Sequence, residues 1–528
     1  MTLEGSVLEA QTTSDHPPME SGSSRKVVQG VAWAGAANWG CQVLNFAVYA
    51  GLARLLDPAT FGLVAIAGVY IAFIQVLVTQ GFGMAIIQRK EIEKEHLDSA
   101  FWIAMATASL FCLLSLLCGG QIAHFFHEPR VAPVIAWLSF SLFFYALSSI
   151  PTAILTRDLD FRSLAVRSLL ATIVSGVVGL GMAFEGCGVW SLVGQQLVNA
   201  ILSCICLWWV VSWRPRLWIS RRHLRDLYGF SLGIAGNDIL WFFSQRSDQT
   251  FVGYGFGSLG LGPYSLASRL VSVLYDGITL PLQSVAFPAF SKLQSESARF
   301  ERALYKFCEM CSFVSFPVFA GIVAIAPELV STLFGNKWAS AVPILQILAV
   351  YGAVRSALAF VHTLMLSKGR AGLYLLTNVI LSGLTVTGCL IAVRWSPAAI
   401  AVSIIVTMLL YAVIFFVIAQ RILGVRIRPL LKAFVFPAVA SLLMLIVVSL
   451  LRSFIKGLPW MPGRLSVCVV AGIAVYVLAA WYRHPGLLGE IWQMIDSHLL
   501  FSRGAGRVDA PPPPARCISQ AAPGSPEP

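Results

Sequence analysis

Long apolar runs separated by short polar breaks occupy most of the chain. Fourteen of them are long enough for a helix to cross a hydrocarbon core of roughly 30 Å, which takes about 20 residues. They fall near 31–53, 61–78, 100–118, 131–156, 168–184, 188–211, 231–253, 264–287, 305–325, 341–365, 373–393, 398–420, 431–451 and 464–482. The pattern predicts an all-α polytopic membrane protein of about 14 transmembrane helices.

Composition agrees, because 57% hydrophobic residues, 12% charged residues and a mean hydropathy of +0.77 are far from a soluble domain. The net charge of +12 changes the picture only through where it sits. Of 37 Lys and Arg, counting Lys306, Lys432 and Arg464 at run edges with the adjoining loops, 27 lie at the N-terminus, in the even-numbered loops or in the C-terminal tail; 7 lie in the odd-numbered loops, and 3 fall within runs. That bias is the positive-inside pattern, which predicts that both termini are cytoplasmic. The basic residues therefore report topology and imply no nucleic-acid partner. The densest inside loop, RPRLWISRRHLRD at 214–226, carries five arginines.

The chain also repeats itself. GAAN at 35–38 leads into LLDPATFGLVAIA at 55–67, and IAGN at 234–237 leads into LGLGPYSLASR at 259–269, at offsets of 199 and about 203 residues. Six runs separate the copies, so both enter the membrane in one direction, as in parallel transporter repeats. The expected organisation is a disordered cytoplasmic tail (1–24, with no secretory signal), an N-terminal six-helix lobe (25–213), a basic linker (214–230) and a C-terminal six-helix lobe (231–420). Helices 13 and 14 follow (421–482), then a cytoplasmic segment (483–528) with an amphipathic stretch at 486–501 and a Pro-rich tail. The 11 cysteines have no motif spacing and read as small apolar residues.

LLDPATFGLVAIAGVYIAFIQVLVTQGFGMAIIQ at 55–88, HLDSAFW at 96–102 and QRSDQTFVGYGFGSLGLGPYSLASRL at 245–270 resemble the polysaccharide-transport, Wzx-type flippases of the multidrug/oligosaccharidyl-lipid/polysaccharide exporter superfamily. The resemblance covers about 25–482. It implies two six-helix bundles around a central cavity, two additional C-terminal helices, and a location in the bacterial inner membrane. It also implies transfer of a polyprenyl-diphosphate-linked oligosaccharide between leaflets, with membrane lipid and the polysaccharide polymerase and export machinery as further partners. No cofactor is implied.

Ionisable groups inside a span cost about 2.5–3.5 kcal/mol at its centre, so they face a cavity or a partner. In run 8, Ser265, Arg269, Ser272 and Asp276 recur at helical spacing on one face. Run 10 carries Tyr351, Arg355 and His362, and run 1 a neutral stripe of Asn38, Gln42 and Asn45. In run 7, Asn237, Asp238, Gln245, Arg246, Asp248 and Gln249 spread over more than half the circumference. Arg246 and Asp248 point to nearly opposite sides, so they do not pair with each other. At 1.5 Å per residue Arg246 lies about 22 Å from the inner face and Arg269 about 8 Å below the outer face, at similar depth. Guanidinium suits phosphate, donating two parallel hydrogen bonds. Arg355 is therefore expected to receive the lipid diphosphate on the inside, with Arg246 and Arg269 holding it when the cavity opens outward. Asn38, Gln42, Asn45 and Gln245 are candidate substrate contacts, and for the stripe of run 1 the choice is between sugar contact and ordinary interhelical hydrogen bonding. Asp238, Asp248 and Asp276 are candidate gating or ion-coupling groups, or partners that lock the arginines in place. Because the first half offers only neutral polar residues, the anion-binding wall is expected on the second lobe.

GFGSLG at 255–260 satisfies a dinucleotide pattern but joins two membrane runs, where its glycines suit a turn or hinge. HFFHEP at 124–129 lacks further metal ligands, and no Walker loop or catalytic constellation is present. No metal or enzymatic activity is expected. The competing readings are a cation-coupled multidrug exporter of the same superfamily and a membrane polysaccharide polymerase or glycosyltransferase.

Overall fold

The computed structural model describes residues 39–79, 82–89, 91–294, 296–422, 424–455 and 461–483. Asn38, the 1–24 tail, the 486–501 stretch and the Pro-rich tail lie outside them. Among the described residues there is helix throughout the apolar runs and no strand. This is what hydrocarbon demands, since a helix satisfies its backbone hydrogen bonds internally. The helices are α1 (39–55), α2 (Pro58–Thr79), α3 (Phe82–Gln88), α4 (Lys94–Phe125), α5 (Val131–Ser139), α6 (Ser141–Arg157), α7 (Phe161–Phe184), α8 (Val189–Val210) and α9 (Arg221–Lys292). They continue with α10 (Ser297–Leu333), α11 (Ala341–Ala357), α12 (Phe360–Ser367), α13 (Ala371–Ala392), α14 (Pro397–Arg421), α15 (Ile427–Phe454) and α16 (Met461–Arg483). The chain to Tyr476 is one compact unit, and a second begins at Val477.

Among the described residues, eleven helical spans are long and apolar enough to cross a membrane. The fourteen runs fall on the helices unevenly. Runs 7 and 8 are the two limbs of α9, two helices that meet at Gly257. There φ is 59°, a left-handed conformation that a side chain would strain. The turn or hinge expected from GFGSLG is thus made at one glycine, and the second limb folds back beside the first, with Gln249 Nε2 within hydrogen-bond reach of Ser268 Oγ. Run 10 is broken into α11 and α12 at Leu358 and Ala359, and Gln283 Nε2 donates to the freed Ala359 carbonyl at 2.7 Å. The basic segment expected as a linker, 214–230, is already helical from Arg221.

The core explains where a cavity can form. At one end a continuous cluster joins the early and late helices, including Leu52, Phe61 and Ile66 with Tyr264, Phe334 and Trp338. Trp338 Nε1 donates to the Ala53 carbonyl at 2.8 Å, and its ring meets Phe61 edge-on with centroids 5.2 Å apart. Lys337 Nζ donates to the Arg54 carbonyl and Arg54 Nε to the Leu333 carbonyl, both at 2.9 Å. The tightest approach is between α2 and the second limb of α9, which carry the repeated sequence. A Cβ at Gly62 would overlap the Ser258 carbonyl, and one at Gly262 the Pro58 carbonyl. The kink is fixed there by Glu128, whose Oε1 accepts from Ser258 N–H at 3.1 Å and from its hydroxyl at 2.6 Å.

At the other end, next to the basic loops, the halves have separate clusters. Phe82, Ile86, Phe101 and Ile150 form one, and Phe290, Phe300, Phe360 and Phe415 the other. The bundle is thus closed where Gly62 meets Ser258 and divided where the basic residues lie. Outside this frame, α15 and α16 attach to α10 through Glu328, which accepts from Arg452 Nε at 2.7 Å and Arg464 Nη2 at 3.2 Å.

Candidate functional site

A cavity of about 1200 Å³ lies between the halves. That exceeds the roughly 300–1,000 Å³ of a pocket for a drug-sized ligand. From α1 it is lined by Cys41, Asn45 and Tyr49, one turn apart; Gln42 is on the same helix but is not part of the wall. The first limb of α9 contributes Asp238, Gln245, Arg246 and Gln249, and the second contributes Ser265, Ser268, Arg269, Ser272 and Asp276. Arg355 of α11 completes this side. A smaller recess of about 50 Å³ shares Gln245 and Arg355 with the cavity and adds Asp248, Tyr351, Thr385 and Thr407. Arg355, beside the α11–α12 break, therefore sits at the junction of the two spaces.

Arg246 and Arg355 have neutral companions. Arg246 Nη1 donates to Gln249 Oε1 at 3.1 Å, and Gln249 Nε2 donates to Ser268 Oγ at 3.2 Å, linking the two limbs of α9. The Arg355 guanidinium lies 4.0 Å from the centroid of the Tyr275 ring, a cation–π contact that holds it without neutralising it. Asp248 is buried at 9% exposure and faces away from Arg246: Tyr264 donates its hydroxyl to Oδ2 at 2.8 Å, and the Gln249 N–H donates to Oδ1 at 2.8 Å. Among the described ion pairs, none joins Arg246, Arg269 or Arg355 to Asp238, Asp248 or Asp276.

The first half is not purely neutral. Arg167 of α7 lines the same cavity, opposite the α9 arginines, among Ser148, Thr152, Thr172, Gln195 and Asn199. The apolar run begins only at 168, which by itself puts Arg167 in a loop. The helix starts earlier because Asp160 caps it, with Oδ1 accepting from Ser163 N–H at 3.1 Å and Oδ2 from the Ser163 hydroxyl at 2.6 Å. The Asp-x-x-Ser spacing was the available signal. Arginines accordingly line the cavity from both halves, where the first half was expected to offer only neutral polar groups. In all, four arginines and two carboxylates line the cavity. The guanidinium groups suit an anion, and the amide and hydroxyl wall around Arg167 suits many hydroxyls.

The sequence profile of the family described as "Polysaccharide biosynthesis protein" matches residues 51–343, more than half of the 528. The chain belongs to this family. Among curated relatives of this polysaccharide biosynthesis protein, it is 27% identical to the succinoglycan biosynthesis transport protein ExoT of Rhizobium meliloti, over 62% of this chain and 66% of that one. It is 24% identical to the teichuronic acid biosynthesis protein TuaB of Bacillus subtilis, over 72% of this chain and 80% of that one. The lipopolysaccharide biosynthesis protein WzxC of Escherichia coli is also 24% identical, over 87% of this chain and 94% of its own length. Among solved structures, the lipid II flippase MurJ in an inward closed conformation superposes with a TM-score of 0.72 at 14% identity, covering 86% of this chain and 99% of that one. An inward-facing multidrug resistance MATE family transporter superposes at 0.58 with 15% identity, over 74% and 96%. The family member thus has the all-helical fold of these transporters.

Proposed function

We propose that this chain is a non-enzymatic flippase carrying a polyprenyl-diphosphate-linked oligosaccharide from the cytoplasmic to the periplasmic leaflet of the bacterial inner membrane by alternating access. Relatives named for succinoglycan transport, teichuronic acid biosynthesis and lipopolysaccharide biosynthesis support this reading, as does a fold neighbour that flips lipid II. The observation that carries it is the cavity, in which arginines from both halves face a broad wall of neutral hydrogen-bonding groups. The diphosphate lies against Arg246, Arg269 and Arg355, and the sugars against the amides and hydroxyls of α6, α7 and α8. Asn45 and Gln245 extend the polar wall; Gln42 and Asn38 are second-rank candidates, the first off the wall and the second outside the described residues. The polyprenyl tail stays in lipid between helices.

In this orientation both termini and the basic loops are cytoplasmic, and the cavity opens inward between two six-helix lobes, 25–213 and 231–420. Helices 13 and 14 flank the second lobe. Polymerase and export machinery take up the product outside. Asp238 and Asp276, on the cavity wall, are the groups available for gating or ion coupling. Asp248, held by Tyr264, couples the two limbs of α9.

The test is the Arg246/Arg269/Arg355 triple alanine variant in a deletion strain. Lipid-linked repeat units should accumulate in the cytoplasmic leaflet at normal protein abundance, and lysine replacements should restore transport only in part. Normal export by the triple variant would remove the proposal. Unchanged lipid-linked pools with drug sensitivity would instead support a multidrug exporter.

A further inference from the structure

HLDSAFW at 96–102, the motif that opens α4, has no part in the cavity, yet it organises the basic end of the molecule. Ser99 Oγ accepts from the Ser220 N–H at 3.0 Å, and Trp102 Nε1 donates to the Arg216 carbonyl at 2.7 Å. These bonds dock the arginine-rich segment between α8 and α9 onto α4. They bring His223, in the first turn of α9, against Glu93 and His96, which are 130 and 127 residues earlier in the chain.

The ligand-capable atoms of Glu93, His96 and His223 all lie within 4.8 Å of one another. His223 Nε2 is 2.9 Å from Glu93 Oε2, while His223 Nδ1 is 2.6 Å from Ser220 Oγ. An outer hydrogen bond at Nδ1 is how metal-binding histidines are commonly oriented, leaving Nε2 to the ion. The rings of His96 and His223 are edge-to-face with centroids 4.4 Å apart, and His96 is buried at 3% exposure while the Glu93 side chain is open to solvent at 66%. The His96 Nδ1 accepts the Glu93 N–H at 3.3 Å, a long bond that an ion can replace.

We propose that Glu93, His96 and His223 form a binding site for a divalent transition-metal ion of the zinc class. Zinc bonds of about 2.0–2.2 Å in tetrahedral geometry place ligand atoms about 3.3 Å apart. The His223–Glu93 pair needs to open by only a few tenths of an ångström, and the distances to His96 to close by about 1.5 Å or less, taken up by the exposed Glu93 side chain and the half-buried His223 ring. Two imidazoles and one carboxylate suit zinc, cobalt or nickel over magnesium or calcium. Binding at an imidazole nitrogen that carries a proton releases that proton. The fourth position faces solvent beside Glu93 and is left to water. The ion clamps the start of α9 to the start of α4, so it favours the conformation in which the three ligands meet.

The full-length protein, purified in detergent and stripped with chelator, is titrated with Zn²⁺ by calorimetry in excess Mg²⁺, and with Co²⁺ by absorption. One ion should bind with micromolar or tighter affinity, Co²⁺ should give visible bands without a thiolate charge-transfer band, and Zn²⁺ should raise the melting temperature. His223→Ala and His96→Ala should each weaken binding more than about a hundredfold. Ser220→Ala, acting only through His223, should weaken it by about tenfold, the lower end for an outer-shell partner. If His96→Ala fails to fold, His223→Ala, at a half-buried ring, decides the matter alone. Absence of stoichiometric binding by the unmodified protein, binding unchanged in His223→Ala, or a thiolate band would each overturn the site.

Discussion

Adding one methyl group at Gly62 is expected to open the closed end of the cavity. A Cβ there overlaps the Ser258 carbonyl, a backbone atom that no rotamer change can move aside. Overpacking of this kind costs about 1–3 kcal/mol. Under the proposed alternating access Gly62 and Ser258 part when that end opens, so the penalty falls on the closed form, and the closed-to-open ratio should drop about 5- to 150-fold. Cys41 reports the change, because it lines the cavity and is a free, half-buried thiol. In a background retaining Cys41 alone, Gly62→Ala should speed labelling by a membrane-impermeant maleimide added on the side opposite the basic loops. Gly68→Ala is the control, since a Cβ at Gly68, also on the cavity wall, would meet nothing within 4 Å. If the folded Gly62→Ala protein is labelled no faster than the control, the α2–α9 crossing is not the closure.

Other outcomes follow from the same packing. Glu128→Ala removes the acceptor for the Ser258 N–H and hydroxyl at the start of the second limb of α9, a cap of about 1 kcal/mol, and should raise Cys41 labelling about fivefold. Trp338→Ala empties a fully buried site and frees the Ala53 carbonyl; about 3–5 kcal/mol of stability should be lost, read as a lower melting temperature in detergent. Glu328→Leu leaves Arg452 and Arg464 without their carboxylate, and a loss of about 3 kcal/mol should appear in calorimetry. Arg167→Ala should reduce transport of lipid-linked units at unchanged abundance, where a purely one-sided wall would leave transport intact.

Much of this architecture is readable from hydrophobicity, because each apolar run must be helical in a membrane and basic residues sort by side. The phasing of Ser265, Arg269, Ser272 and Asp276 likewise puts all four on one face, and all four line the cavity. What a linear reading misplaces depends on local capping and on contacts far apart in sequence. Arg167 looked like a loop residue until the Asp160 cap extended α7 over it. The break after Ala357 depends on Gln283, an amide 76 residues away, accepting the role of backbone partner. The companion of Asp248 is Tyr264, which reading run 7 alone cannot supply because the two meet only through the kink at Gly257. The Glu93, His96 and His223 group is invisible in sequence for the same reason, since its members converge only when the basic segment docks on α4.

The excess of arginine over carboxylate in the cavity also has an electrical meaning. Four guanidinium groups against two carboxylates leave the empty site with two surplus positive charges. A bound diphosphate would bring that sum near zero, so on the proposed function the loaded carrier would turn outward with little work against the membrane voltage. The empty carrier would not, because each elementary charge is worth up to about 2.3 kcal/mol per 100 mV across the full drop. With the basic end at the negative, cytoplasmic side, as proposed, that voltage would draw the unloaded site back toward the inside. The resting potential would then reset the carrier after each delivery, giving the cycle a direction without a co-transported ion.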